Sequence, residues 1–297
     1  GGDGPRATPT WHEGMLYSMG ATGMLKVLDA ATGAVKWEKD TLKDNGAQNL
    51  TWGMSAAPLI VDDKVIVQPG GLDGKSVVAY HRITGARVWS SLNDQQAYTS
   101  PMLVTLAGRR QIVTATALRF VGLDPADGKL LWEFPWTTEY DVNAAVPLVV
   151  GENRLFISAG YDHGAALLEI EKSGAGLAAK QIWFNKKMKN KFSSSVLHEG
   201  HIYGMDEAIM ACVRVSDGQQ MWKGGRYGYG QLLLANGHLV VISEAGELVL
   251  VKATPDKHTE LAKFSAIEGK TWNVPAMADG VLFVRNLAEM AAFRIAP

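Results

Sequence analysis

Seven positions along the chain carry side chains whose types suit molecular recognition. They recur every 37 to 49 residues, each three residues before the residue that opens a repeated unit, and they hold Arg6, Ser55, Tyr98, Ala144, Phe192, Tyr229 and Trp272. Where the residue is small, an aromatic side chain lies nearby: Trp52 accompanies Ser55, and Tyr140 accompanies Ala144. Because Tyr, Trp and Arg dominate binding hot spots, the pattern predicts a recognition surface. The alternative is that these aromatics only cap a hydrophobic core.

Two further groups of polar residues are candidates for the same surface. A second recurring turn, which we expect to open on the same face, contributes Arg119, His163 and Glu207. A loop between the fourth and fifth units holds the strongest run of charge, with Lys186, Lys187, Lys189 and Lys191. Such a run either attracts an anionic partner in a salt-dependent way or is a solvated loop without a function of its own.

The residues give little support for catalysis, and we predict no catalytic and no metal-binding residues. Cys212 is the only cysteine, so neither a disulfide within the chain nor a thiolate metal cluster can form. The sequence contains no Gly-x-Ser-x-Gly elbow and no phosphate loop. His198 and His201 flank a turn, and His12 holds the same repeat position as His198, which favours a role in the turn. With a net charge of −1 and no apolar run of membrane-spanning length, we expect neither nucleic-acid binding nor a transmembrane segment.

The elements that must position these residues are short strands in a repeated unit. Segments of four to six β-type residues, such as Met15–Ser18 and Leu25–Asp29, are separated by turns that contain Gly or Asp. The units open at Pro9, Pro58, Pro101, Pro147, Ser195, Leu232 and Pro275. Five of the nine tryptophans occupy one position near the end of the unit: Trp37, Trp89, Trp132, Trp183 and Trp222. We expect each of these to lie against the next unit, where its indole N–H finds an acceptor.

Four strands in 37 to 49 residues are typical of one blade of a β-propeller. A lone blade is apolar on both faces, and stacking on neighbouring blades would bury both. We therefore predict an all-β fold with one domain over residues 1–297, in antiparallel four-stranded blades that start near residues 7, 56, 99, 145, 193, 230 and 273. The last blade lacks its outer strand, and we expect an upstream segment beyond Gly1–Pro5 to complete it. The complete protein then has seven or eight blades.

Two segments carry a resemblance to a known family. Leu28–Trp37 and Leu123–Trp132 share a Leu-Asp pair, two small residues, a turn that ends in Gly, and a Trp four residues later. This pattern resembles the pyrroloquinoline-quinone-type (PQQ-like) repeat, and the resemblance extends over the whole chain, most weakly in the fourth and sixth units. It implies a propeller similar to bacterial PQQ-like repeat proteins, including the propeller lipoprotein of the outer-membrane barrel assembly machinery. It also implies a more distant similarity to quinoprotein alcohol dehydrogenases.

An enzyme of that second kind would need PQQ and calcium. Calcium requires hard oxygen ligands, and the carboxylates of the second turns are Asp73, Asp162, Asp206, Glu207, Glu244 and Glu289. The resemblance to quinoprotein dehydrogenases also implies a pair of adjacent cysteines against the cofactor, which this sequence lacks. We therefore expect no cofactor, and keep PQQ and calcium only for the alternative in which the chain is an oxidoreductase.

The function that we predict is a non-enzymatic binding or assembly scaffold. It would recognise a protein or peptide partner at the face where the seven positions and the second turns lie. A carbohydrate-binding propeller remains a further alternative, favoured by the Trp and Tyr side chains of that face. The resemblance implies an extracytoplasmic location, either periplasmic or secreted.

Overall fold

The computed structural model describes residues 6–174 and 176–295, and over these residues the chain is almost entirely β-structure. The strands form seven antiparallel sheets, and each sheet consists of strands that follow one another along the chain. Six sheets have four strands and the seventh has three. The predicted all-β propeller fold is confirmed, with seven blades in the described residues. The opening segment 1–5 lies outside them.

The strands of the first three sheets are β1 (Thr10–His12), β2 (Met15–Met19), β3 (Met24–Asp29), β4 (Val35–Asp40); β5 (Leu59–Val61), β6 (Lys64–Val67), β7 (Val77–His81), β8 (Arg87–Ser91); β9 (Met102–Leu106), β10 (Arg109–Ala115), β11 (Arg119–Leu123) and β12 (Leu130–Pro135). The fourth and fifth sheets contain β13 (Leu148–Val150), β14 (Arg154–Ala159), β15 (Gly164–Ser173), β16 (Gly176–Asn185); β17 (Val196–His198), β18 (His201–Asp206), β19 (Ile209–Arg214) and β20 (Gln220–Arg226). The last two contain β21 (Gln231–Ala235), β22 (His238–Ile242), β23 (Glu247–Lys252), β24 (Glu260–Ser265); β25 (Ala276–Ala278), β26 (Val281–Arg285) and β27 (Met290–Arg294).

The chain divides into two compact units. The first unit comprises the described residues up to Arg154 together with Glu169–Lys180, and the second comprises Leu155–Leu168 and the described residues from Gln181 onward. Within the first unit β1 contacts β5 and β5 contacts β9, and within the second β17 contacts β21. Neighbouring sheets of a unit therefore meet through their first strands. The interpretation of the whole chain as one domain stays a prediction.

The second sheet shows how stacking buries both faces of a blade. Val65 and Val78 pack in a cluster with Tyr17 of the first sheet. Ile66 and Ala79, one position further along the same strands, pack in a cluster with residues of the third sheet. Successive side chains of a strand point to opposite faces. A strand between two sheets is therefore apolar at every position instead of alternating between apolar and polar residues.

The recurring tryptophans join the outer edges of neighbouring sheets. Four of them donate an indole N–H to a backbone carbonyl of the following sheet: Trp37 Nε1 to Arg82 O at 3.1 Å, Trp89 Nε1 to Pro125 O at 3.2 Å, Trp183 Nε1 to Val215 O at 2.8 Å, and Trp222 Nε1 to Thr254 O at 2.8 Å. In three of the four cases the ring also lies on a turn glycine of that sheet. A Cβ atom on Gly128, for example, would lie 2.5 Å from Cε3 of Trp89. We refer to this combination as the tryptophan–glycine contact.

Trp132 departs from this pattern. Its indole N–H donates to the Oε1 atom of Gln111 within its own sheet. In the following sheet β15 and β16 are ten residues each, so the turn that joins them lies further along the strands than in the other sheets. For Trp132, the side-chain oxygen of Gln111 in its own sheet is therefore the acceptor, where the other four tryptophans use a backbone carbonyl of the following sheet.

One short helix, α1 (Thr41–Asn45), was not expected from the sequence. The side chain of Asp40 accepts a hydrogen bond from the N–H of Lys43 at its start, and Gly46 ends it in the left-handed conformation. The described residues contain no helix with the length and apolar character needed to cross a membrane.

Candidate functional site

Three of the predicted recognition residues meet in the second unit. Phe192 lies in the loop between β16 and β17, Tyr229 in the loop between β20 and β21, and Trp272 in the loop between β24 and β25. The ring centroid of Phe192 lies 5.2 Å from that of Tyr229 and 4.8 Å from that of Trp272, in tilted arrangements. Phe192 and Tyr229 are half-buried, whereas Trp272 is 45% exposed. We call these three residues the aromatic cluster.

A carboxylate from a neighbouring turn holds the aromatic cluster in place. Glu244, in the turn between β22 and β23, accepts a hydrogen bond from Trp272 Nε1 at 2.9 Å and one from the backbone N–H of Tyr229 at 3.2 Å. Lys270 Nζ lies 3.7 Å from Glu244 Oε1 and 3.6 Å from the centroid of the Trp272 ring. The second turn of a sheet and the loop into the next sheet therefore lie together here, as the sequence predicts.

The close approach of Glu244 depends on Gly228. This glycine has φ of +62°, a conformation that L side chains rarely adopt. A Cβ atom at this position would also lie 2.6 Å from Glu244 Oε2. The segment Gly228-Tyr229-Gly230 is thus a loop shaped around a carboxylate of the protein itself.

A lysine continues the aromatic surface on its other side. Lys191 Nζ lies 4.6 Å from the ring centroid of Tyr161 and 4.5 Å from that of Tyr229, whose hydroxyl it contacts at 3.2 Å. Burial opposes the charge of Lys191, but the hydrogen bond to Tyr229 and the electrostatic attraction of its neighbours outweigh this and raise its pKa. Lys191 therefore stays protonated between the two rings and limits their movement.

The rest of the lysine run is largely paired within the protein. Lys186 Nζ lies 2.9 Å and Lys189 Nζ 3.3 Å from carboxylate oxygens of Asp162. Hydrogen bonds from these two lysines lower the pKa of Asp162. Lys189 also lies 3.7 Å from the buried carboxylate of Asp206. Lys187 is exposed and forms no ion pair within the described residues.

Two predicted residues of the second turns lie next to these lysine pairs. His163 is half-buried with its ring centroid 6.2 Å from that of Phe184, and burial and the charge of Lys186 lower its pKa. Glu207 accepts a hydrogen bond from the N–H of Asp162 at 3.4 Å. His163 and Glu207 therefore lie next to the ion pairs of Asp162 with Lys186 and Lys189, and not in the aromatic cluster.

The predicted residues of the first unit are arranged differently. Trp52 and Tyr98 form a pair with ring centroids 5.8 Å apart. Arg119 is held by Asp94, 2.7 Å from its Nε, and by Glu133, so its guanidinium is committed to the protein. Tyr140 is exposed in a single 3-10 turn, and the half-buried Arg6 precedes β1.

A cavity of about 470 Å³ adjoins the aromatic cluster. Its walls include Arg226 and Tyr227 at the end of β20, and Glu244, Glu247 and Lys270 from the sixth sheet and the loop that follows it. Glu244 and Lys270 thus belong both to the cavity and to the support of Trp272. Glu247 is paired with Lys263 at 3.4 Å.

The carboxylates named for the calcium and quinone alternative can be located in the structure. No group of three or more His, Cys, Asp or Glu residues in the described part of the chain converges as metal ligands would. Of the carboxylates that the oxidoreductase alternative required, Asp162 and Asp206 are paired with lysines, and Glu244 is held by Trp272 and Tyr229. Cys212 is buried, and burial raises the pKa of its thiol to about 12.

Three residues of this region were missed by the sequence analysis: Tyr161, Arg226 and Lys270. Tyr161 lies in a second turn, directly before two residues that were considered, so its repeat position was a usable signal. Lys270 lies two residues before Trp272, and Arg226 ends a strand, and neither occupies a position that recurs between units. A search confined to recurring positions therefore finds the aromatic side chains and Glu244, but not Arg226 and Lys270.

Comparisons with known proteins agree with the fold. A family model described as outer membrane protein assembly factor BamB matches residues 2–224. No curated protein matches the chain significantly in sequence. Among solved structures, BamB from Moraxella catarrhalis aligns over 94% of this chain and 80% of its own, with 17% identity and a TM-score of 0.69.

Quinone-dependent enzymes are similar in fold as well. A europium-containing methanol dehydrogenase aligns over 93% of this chain and 72% of its own, with 14% identity and a TM-score of 0.65. The quinohemoprotein alcohol dehydrogenase of Comamonas testosteroni aligns over 94% of this chain and 62% of its own, with 14% identity and a TM-score of 0.64. Likeness at this level of identity concerns the fold alone.

Proposed function

Because this chain belongs to the family described as outer membrane protein assembly factor BamB, we propose that it is a non-enzymatic scaffold that binds a protein partner outside the cytoplasm. The observation that carries the proposal is the aromatic cluster, in which a half-exposed Trp272 rests on Phe192 and is oriented by Glu244. The proposal places the chain in the periplasm or at the outer membrane, in keeping with the name of the family.

The geometry of Trp272 suits the binding of a protein. An aromatic side chain that is already held in one orientation loses little conformational entropy when a partner covers it. The indole N–H is committed to Glu244, the ring packs on Phe192, and Lys270 lies over one face, so the remaining exposed part of the side chain is what a partner can cover. Aromatic anchors of this kind contribute most of the binding energy at many protein interfaces.

The two alternatives have weaker support. Likeness of fold is the feature that favours the oxidoreductase, and Asp162, Asp206 and Glu244 of the second turns are engaged in other contacts. For a carbohydrate, Trp272 offers an aromatic platform, but Lys270 lies 3.6 Å from its ring centroid and would have to move before a sugar could stack on that face.

Site-specific photocrosslinking tests the proposal. A photoreactive phenylalanine derivative replaces Trp272 in one variant and Val88, an exposed residue of β8 in the first unit, in a control variant. We expect discrete protein adducts from the Trp272 variant in cells of the source organism, and none from the Val88 variant. Equal labelling at both positions, or no protein adduct at Trp272, would contradict the proposal.

A ligand titration separates the alternatives. Site-specific binding stabilises a folded protein by about 2.7 kcal/mol at a hundredfold excess over the dissociation constant, which gives a clear rise in melting temperature. We expect no rise with pyrroloquinoline quinone, with or without calcium, and none with a panel of oligosaccharides. A calcium-dependent rise with the quinone would favour the oxidoreductase, and a rise with one sugar would favour the carbohydrate-binding alternative.

A further inference from the structure

We propose that the cavity beside the aromatic cluster binds a carboxylate of the partner, supplied by an acidic side chain in a segment that also covers Trp272. The inference rests on the proposed function and specifies the chemistry of the partner. It is carried by the charges and hydrogen-bond donors of the cavity walls.

Arg226 is the cation that remains available in this cavity. It is exposed at the end of β20 and lines the cavity. Within the described residues its guanidinium forms neither an ion pair nor a hydrogen bond, in contrast to Arg119, whose guanidinium is held by two carboxylates. A guanidinium without a protein partner is suited to bidentate recognition of a carboxylate.

The two glutamates of the cavity do not cancel this charge. Glu247 is paired with Lys263, at 3.4 Å. Glu244 has its oxygens engaged by Trp272 Nε1, by the N–H of Tyr229 and by Lys270. Both lining glutamates therefore have a lysine partner, whereas Arg226 lines the cavity without a carboxylate partner among the described residues.

The backbone adds donors to the same walls. Gly228 and Gly269 both line the cavity in the left-handed conformation, with φ of +62° and +83°. Within the described chain their N–H groups meet no acceptor. Free N–H groups beside a cation favour an anionic ligand over a neutral one.

The relation between the cavity and the aromatic cluster constrains the partner further. Glu244 and Lys270 belong to both, so a ligand group in the cavity lies beside a group on Trp272. In an extended peptide, side chains two positions apart point to the same side, with a spacing of about 6.5 Å. The expected ligand is an extended segment in which an Asp or Glu lies two residues from an aromatic or large apolar residue.

Fluorescence anisotropy with short peptides tests this. The probe is a fluorescein-labelled, end-blocked hexapeptide with Asp two residues before Phe, and the matched probe has Asn in place of Asp. We expect the Asp peptide to bind the full chain at least about tenfold more tightly than the Asn peptide, since a hydrogen bond to a charged group contributes about 1.5–3 kcal/mol. Its affinity falls as salt is added.

Protein variants identify the cation. Arg226→Gln should weaken binding of the Asp peptide about tenfold, with no change for the Asn peptide, whereas Arg226→Lys should retain part of the difference. Lys257→Gln is the matched control, because Lys257 is an exposed cation of the same unit that does not line the cavity. An unchanged melting temperature verifies that each variant is folded.

Three results would overturn the inference: no measurable binding of the Asp peptide at millimolar concentration, equal binding of the two peptides, or no effect of Arg226→Gln. In each case photocrosslinking at Trp272 can still yield protein adducts. The proposed scaffold function would then stand while the carboxylate in the cavity would not. Absence of adducts at Trp272 is the separate result that removes the scaffold function itself.

Discussion

The contacts at the outer edges of the sheets recur from one sheet to the next, whereas the contacts in the loops and turns differ between sheets. At the outer edge the same contact recurs, with a Trp of one sheet donating to a backbone carbonyl of the next in four cases. At the loops every sheet is different. Trp52 and Tyr98 pair with each other, Arg119 forms ion pairs with Asp94, and Phe192 packs between Tyr229 and Trp272 in tilted arrangements.

This difference separates what the repeat encodes from what each copy adds. The recurring residues hold one sheet against the next and specify the fold. The loop residues differ from sheet to sheet, and in the second unit they leave Trp272 half-exposed next to Glu244 and Lys270, which also line the cavity that contains Arg226. Changes at the two regions should therefore affect different measurements, namely stability at the outer edge and binding at the loops.

The largest effect is expected at Gly128. Gly128→Ala places a methyl group 2.5 Å from Trp89 in a backbone conformation with φ of +75°. Backbone strain and overlap together should lower the free energy of unfolding by about 3 kcal/mol. Gly33→Ala is a matched control, with φ of +73° and open space around the added atom, and should cost only about 1–2 kcal/mol. Urea denaturation measures both, and equal losses would show that the contact with Trp89 adds nothing.

Trp272 and Trp52 offer the corresponding test at the loops, since both side chains are 45% exposed. Trp272→Ala should weaken binding of the Asp peptide by about 2 kcal/mol, as for a hot-spot residue, while changing the free energy of unfolding by less than about 1 kcal/mol. Trp52→Ala should leave peptide binding unchanged. Anisotropy titration and denaturation of the same samples provide both values, and similar losses of affinity would refute the assignment of the site to the second unit.

Trp222→Phe isolates the hydrogen bond of the outer edge. Phenylalanine keeps most of the buried ring but cannot donate to the carbonyl of Thr254, which Trp222 reaches at 2.8 Å. We expect a loss of about 1 kcal/mol in the free energy of unfolding, because the half-buried carbonyl loses its partner. Trp11→Phe, at a side chain that is 66% exposed, should have no measurable effect. A loss of equal size in both variants would mean that the hydrogen bond is not the cause.

The smallest expected effect concerns pH. Burial lowers the pKa of His258, and the attraction of Glu260 only partly opposes this. The unfolded chain, with a histidine pKa near 6.5, therefore binds this proton more readily than the folded chain, and stability falls as the pH drops below about 6.5. Melting temperatures at pH values of about 7.5 and 5.5 should differ less in His258→Gln than in the parent chain. An identical difference in the two proteins would exclude His258 as a source of the pH dependence.

Most of the fold could be predicted from the sequence because each blade repeats a few strongly constrained residues. The Gly turns and the Trp four residues later indicate the third and fourth strands of most copies, and β27 ends a three-stranded sheet where that pattern is absent. Helix α1 was missed, since five residues between a capping Asp40 and Gly46 show no helical periodicity. The length of β15 and β16, ten residues each, was not predicted either.

The candidate site was only partly predictable, because its charged groups depend on contacts between distant residues. Repeat position alone selected Phe192, Tyr229 and Trp272, and the structure brings these three together. The same rule selected Arg119, whose partner Asp94 lies 25 residues earlier in the chain. Whether an arginine is free or paired is decided by such tertiary neighbours, which periodicity does not reveal.

The tryptophan–glycine contact also bears on how such a chain can change over evolutionary time. The acceptor of the indole N–H is a main-chain oxygen, which every amino acid supplies, so substitutions in the receiving blade do not remove it. At three of the four contacts the glycine under the ring is restricted as well. Substitutions at other positions of the receiving turn leave this contact intact, and a chain with 17% identity to BamB of Moraxella catarrhalis has a similar fold. Because the contact between blades uses a backbone acceptor, the loops of each blade can change in sequence without removing it, and a loop that has changed can bind a different partner.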